Sequence, residues 1–173
     1  MRGNMTGFVK PLLMIMVAVI AIVAVAFLVA GLMGGDKELG QALDFTAKDA
    51  TGESFTLSEN YEGGVALIFL DRTQGDGKAH LTNMAAAKEG RSVKTVLVAV
   101  GEKSGEDILS YLEENHLSAD VVIPDEKKEI ASLYNVTTCP ITYFIDSKGV
   151  VHGVSLSNLT PSAAGKYYGY IEN

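Results

Sequence analysis

The chain has a single cysteine among its 173 residues, Cys139. It can form no internal disulfide, so any covalent thiol chemistry must be intermolecular. The first 35 residues contain no acidic side chain, because all 21 lie beyond Gly35. With 12 of the 14 basic residues also beyond Gly35, that portion carries a net charge of −9. Such a balance argues against nucleic acid or an anionic lipid surface as a partner. His80, His116 and His152 are scattered without metal-ligand spacing, and a zinc site needs three or four ligands. No metal and no cofactor is expected. Internal repeats and low-complexity blocks are also missing.

One long apolar run is present. Pro11–Met33 has 23 residues and no charge. At about 1.5 Å of rise per residue it spans roughly 35 Å, slightly more than a hydrocarbon core of about 30 Å. Arg2 and Lys10 precede it, and Asp36, Lys37 and Glu38 follow. The positive-inside rule then places the N-terminus in the cytoplasm and the rest outside. The expected layout is a cytoplasmic tail (1–10), a transmembrane signal anchor (11–33), a linker (34–41) and one globular domain (42–173). A cleaved signal peptide is the competing reading, but its apolar region is usually about 7–15 residues.

The globular part alternates strand and helix signals. Asp44–Ala47 and Ser54–Leu57 alternate apolar and polar residues around the turn Asp49-Ala50-Thr51-Gly52, which reads as a hairpin. Val65–Leu70 is a continuous apolar run, a buried strand. A modest amphipathic helix follows over Gly77–Gly90, then a strand over Val93–Val100 and a helix over Glu106–Asn115, with Ser104 as its cap. Val121–Ile123 is a short strand and Glu126–Tyr134 a helix. Ile141–Ile145 and Val150–Val154 flank an Asp146-Ser147-Lys148-Gly149 turn. Thr160-Pro161 starts a last helix through Tyr170. The order implies parallel pairing closed by an antiparallel edge, so the fold class is α/β, a mixed sheet flanked by helices on both faces.

That order resembles the thioredoxin-like superfamily. The similarity is greatest to its membrane-anchored, extracytoplasmic branch of thiol–disulfide oxidoreductases and alkyl hydroperoxide reductase/thiol-specific antioxidant proteins, the redoxins. Two segments carry it: Asp44–Ser58, similar to that branch's N-terminal hairpin, and Tyr134–Gly149, similar to its V-x-x-x-P-x-x-F-x-I-D-x-x-G run. The resemblance implies that Pro140 is the family's cis-proline. It implies that Thr138, Cys139 and Pro140 form the loop where an extended peptide pairs with exposed backbone. It also implies that the turn after Val65–Leu70 is the place of the family's Cys-x-x-Cys. Here Phe69 and Lys78 match the family pattern, but Gln74, Gly75, Asp76 and Gly77 fill the motif. Dithiol exchange needs two thiols, so the family's usual activity is expected to be absent.

Three functions remain open on this reading. One is a binding module that takes a partner protein or extended peptide beside Pro140. Another is a one-cysteine oxidoreductase or antioxidant protein with Cys139 as its catalytic thiol, activated by the helix start near Gly77 if the two are close. The third is a structural subunit of a membrane assembly. Cys139 also reads as a small, partly buried apolar residue. His80 is expected as a surface or packing histidine, with a place beside Cys139 as its other reading; Asp71 and Arg72 are expected as a solvated loop pair, and Asp76 as an acceptor at the helix start. Gln74–Lys78 lacks the glycine spacing and the Ser/Thr of a P-loop, although its N–H groups could hold an anion. Asn135-Val136-Thr137 and Asn158-Leu159-Thr160 match glycosylation sequons.

Overall fold

The computed structural model describes residues 38–74 and 76–172. The expected membrane segment Pro11–Met33 lies outside the described residues, as does Gly75. Among the described residues no helix is long and apolar enough to cross a membrane.

The chain order is β1 (Thr46–Lys48), β2 (Ser54–Thr56), a 3-10 turn (Leu57–Asn60), β3 (Val65–Leu70), α1 (Gly77–Lys88), β4 (Lys94–Val100), α2 (Gly105–Glu114), β5 (Val121–Asp125), α3 (Glu129–Leu133), β6 (Ile141–Ile145), β7 (Val151–Ser155) and α4 (Pro161–Ile171). β1 and β2 form an antiparallel hairpin. The other strands make a five-stranded sheet in the order β5-β4-β3-β6-β7. β3, β4 and β5 run parallel, while β6 is antiparallel to β3 and to β7. This is the mixed sheet that the alternating pattern predicts, and the 3-10 turn is an addition to it.

Side-chain alternation on the central strands creates two cores. Val65, Leu67 and Phe69 of β3 join Val96 and Val98 of β4 on one face, where α3 adds Ile130 and Ala131. Ala66, Ile68 and Leu70 face the other way and meet Leu81 and Met84 of α1, Ile108 and Leu112 of α2, and Tyr168 and Ile171 of α4. Every β3 side chain is buried. Burial of each large one contributes about 1.5–3 kcal/mol.

Local chemistry sets the helix starts. Ser104 Oγ accepts from the Asp107 N–H at 3.3 Å, and Glu106 and Asp107 complement the dipole of α2. Thr160 Oγ1 accepts from the Ala163 N–H at 3.3 Å, with Pro161 in the first turn of α4. The β6–β7 turn is held by Asp146, whose Oδ1 accepts from the Lys148 and Val150 N–H groups at 2.8 and 2.9 Å. Residues 39–42 overlap the expected linker and cover the free edge of β7. The Leu39 N–H donates to the Val151 carbonyl and the Ala42 N–H to the Gly149 carbonyl, both at 2.8 Å.

Candidate functional site

Residues 71–76 connect β3 to α1, and Asp71 organises the connection. Its Oδ1 accepts from the Thr73 N–H at 2.9 Å and the Thr73 hydroxyl at 2.6 Å. Its Oδ2 accepts from Gln74 Nε2 at 2.8 Å, and its carbonyl accepts from the Gln74 N–H at 3.0 Å. Asp71 and Arg72 are therefore not a solvated pair. Asp71 is 7% exposed. Arg72 instead reaches Glu102, with Nε to Oε1 at 2.5 Å and Nη2 to Oε2 at 2.6 Å, and lies 5.3 Å from the centroid of the Tyr111 ring.

Of the four residues at the expected motif position, Gln74, Asp76 and Gly77 are described, and they sit at the end of the sheet, where α1 begins. Gln74 and Asp76 are exposed, and Gly77 is buried. Asp76 precedes α1 but makes no side-chain cap, contrary to expectation. A Cβ at Gly77 would meet Leu70 Cδ1 at 2.7 Å. The Leu70 side chain has filled the space that a residue with a side chain would need there, a packing response no local pattern announces.

Cys139 and Pro140 lie just before β6. The peptide bond between them is cis. Pro140 is buried, Cys139 half-buried and Thr138 exposed. The backbone of Thr138 finds no hydrogen-bond partner among the described residues. Gln74 donates to the Asp71 carboxylate, and the charge of that carboxylate acts on Cys139. Burial, and next the Asp71 charge, push the thiol above its ordinary value, against smaller opposing contributions from the Asp71 N–H and Lys128. The expected activation by the start of α1 is not seen.

His80 is a packing histidine, the first of its two expected readings. It is fully buried on the α1 face, where Nε2 lies 2.8 Å from Thr142 Oγ1 and Nδ1 accepts from the Leu159 N–H at 3.4 Å. His152 pairs with Asp146, Nε2 to Oδ2 at 2.9 Å. Among the described residues no group of three or more His, Cys, Asp or Glu side chains could hold a metal. An open groove of about 520 Å³ runs along the helix side of the 71–76 turn, past Leu70, Gln74, Lys78, Asn83 and Tyr111. Thr138, Cys139 and Pro140 lie outside that lining. The sequence pattern missed Asp71. The signal that bears on it is strand register: β3 pairs with β6 as far as Phe69 and Ile141, and Asp71 and Cys139 each lie two residues beyond.

The AhpC/TSA family model matches residues 39–154. The thioredoxin-like protein YneN of Bacillus subtilis (strain 168) is 28% identical over 130 residues, covering 73% of this chain and 75% of YneN. A thiol:disulfide interchange protein of the thioredoxin family from Chlorobium tepidum TLS superposes with a TM-score of 0.66 at 16% identity, over 80% of this chain and 100% of that one. The pneumococcal exposed lipoprotein thioredoxin of Streptococcus pneumoniae strain TIGR4 gives a TM-score of 0.57 at 24% identity, over 73% and 98% of the two chains. The two structures establish the thioredoxin-like fold, and the match over residues 39–154 establishes kinship: this chain belongs to the AhpC/TSA family of the thioredoxin-like superfamily.

Proposed function

We propose that this chain is a membrane-anchored, extracytoplasmic redoxin that no longer exchanges dithiols and binds a partner protein or extended peptide beside Thr138, Cys139 and Pro140. In this reading residues 1–10 are cytoplasmic, 11–33 form the anchor, 34–41 leave the membrane and 42–173 form the outer domain. The charge asymmetry around Pro11–Met33 supports the orientation. The exposed, lipid-linked pneumococcal protein supports an outer location for the fold.

One observation carries the loss of exchange. The β3–α1 turn has no thiol, and the single thiol sits beside a buried carboxylate that opposes its ionisation. A thiol held above its ordinary value is a poor nucleophile at neutral pH. Docking is supported by the loop itself. Thr138 offers an N–H and a carbonyl without partners among the described residues, and an added strand needs such groups. Glutamine and glycine at the former motif leave a polar turn beside it.

The test is site-specific photocrosslinking of the full chain in membranes of its source cells. A crosslinker in place of Thr138 should give a discrete adduct with one protein. The same group in place of Lys166, exposed on α4, should not. No adduct at 138, or the same adduct at both positions, contradicts the docking site.

A further inference from the structure

β3, β4 and β5 run parallel and β6 runs against them. Asp71, Gly101, the 126–128 connection and Thr138 therefore all lie at one end of the sheet. Open α/β sheets take their ligands at the carboxyl ends of parallel strands. At that end Lys128 breaks two local rules.

Among the described residues, His116, Lys128 and Asn135 are the non-glycine positions with positive φ. Histidine and asparagine are enriched in the left-handed region; for lysine it is a strained position. Lys128, at φ 57 and ψ 32, also stands at the start of α3, where a cation opposes the helix dipole. The helix does not need it there. The Asp125 carboxylate accepts from the Ile130 N–H at 3.3 Å and from the Ala131 N–H at 2.9 Å.

The stem of Lys128 lies over Gly101, the first residue after β4. A Cβ at Gly101 would meet Lys128 Cε at 3.4 Å and Nζ at 3.9 Å, and Gly101 itself has φ +79. Two uncommon backbone positions thus meet where the ammonium is placed. Lys128 is exposed and makes no ion pair among the described residues, whereas Arg72 is held by Glu102. Backbone strain of this kind clusters at binding sites. β4 and β6 are both neighbours of β3, so their ends lie about 10 Å apart. A peptide paired with Thr138 that crosses the strand ends covers that span in about three residues.

We propose that Lys128 selects the partner: the extended peptide that docks at Thr138 carries an acidic side chain about three residues away, and its carboxylate pairs with the Lys128 ammonium. Backbone pairing at Thr138 accepts any extended strand, and Lys128 chooses among them. A peptide with lysine or arginine at that place meets a like charge and is rejected. The inference rests on the docking reading and adds the charge of what docks.

The experiment is the Thr138 photocrosslink in the full chain in membranes, repeated in Lys128→Asn, Lys128→Arg and Lys127→Asn. Asparagine suits the left-handed backbone and removes the charge. Its adduct should fall about threefold, the weight of one exposed ion pair. Arginine should keep the adduct. So should the change at Lys127, an exposed neighbour of the same charge. An undiminished adduct in Lys128→Asn overturns the inference. An equal fall in Lys127→Asn overturns it too, because the effect would then belong to the general field, and so does an equal fall in Lys128→Arg. If Lys128→Asn does not accumulate in the membrane, Lys128→Gln is read by the same rule. No adduct in the unaltered chain sinks the docking site and this inference with it. An adduct that persists without the Lys128 charge sinks this inference alone.

Discussion

His80 Nε2 lies 2.8 Å from Thr142 Oγ1, and this buried bond joins α1, the helix that follows the β3 turn, to β6, the strand that follows Pro140. Because Nδ1 accepts from the Leu159 N–H, the ring proton sits on Nε2 and the histidine donates to Thr142. The neutral ring therefore holds α1, β6 and the β7–α4 connection together. Asn83, one turn along α1, adds a bond of 2.8 Å from its side-chain amide to the Leu159 carbonyl.

That bond predicts acid sensitivity. Burial moves the His80 pKa from 6.5 down to about 4, against a smaller opposing contribution from Asn158. The unfolded chain takes up the proton near pH 6.5, and the folded chain resists until about pH 4. Stability from this group is complete above pH 6.5, falls as the pH drops toward 4, and is level below. At about 1.36 kcal/mol per unit the loss is about 3 kcal/mol. Urea unfolding at pH 7.0 and 4.5 should show most of it. A His80→Gln chain should be less stable at pH 7 and nearly flat across that window. Equal slopes for the two chains would remove His80 from the account.

Gly64 predicts a backbone limit. It has φ +82, and an added Cβ would lie 2.6 Å from the Ile171 carbonyl oxygen. Both the left-handed conformation and the backbone contact oppose any side chain. Gly64→Ala should cost at least about 2 kcal/mol in urea unfolding. Gly52→Ala is the control: its φ of +93 is also positive, but nothing lies within 4 Å of the added carbon. It should cost about 1 kcal/mol.

Tyr134 separates a hydrogen bond from a ring. Its hydroxyl donates to the Leu43 carbonyl at 2.5 Å, and its ring lies 5.3 Å from Phe69 and 4.9 Å from Tyr143. Tyr134→Phe should cost about 1 kcal/mol, because Leu43 is exposed and its carbonyl can turn to water. Tyr134→Ala removes the ring as well and should cost about 3–5 kcal/mol. Hydrogen exchange should quicken near residue 43 in both. A phenylalanine chain as unstable as the alanine chain would place the energy in the hydroxyl.

The architecture was legible because period and burial agree. The Val65–Leu70 run, the capped starts at Ser104 and Thr160 and the Asp146–Gly149 turn each announce one element. The site was only half legible. The absence of thiols after β3 and the position of Pro140 are local facts. The burial of Asp71 is not, since it depends on a strand 70 residues away in sequence arriving in one register. Which of its two readings His80 takes was hidden for a similar reason. Its helix shows little amphipathic contrast, so which face turns inward is set by packing against α4 and β6 rather than by spacing. Arg72 looked solvated because its partner, Glu102, lies beyond the next strand.

The central claim is that this redoxin fold has lost thiol–disulfide exchange. The direct measurement is insulin reduction by the full chain in detergent with dithiothreitol, beside the same chain carrying Cys139→Ser. The account predicts that both match the rate without protein. A rate above that background which disappears with Cys139→Ser would contradict it, because the single thiol would then be doing catalytic exchange.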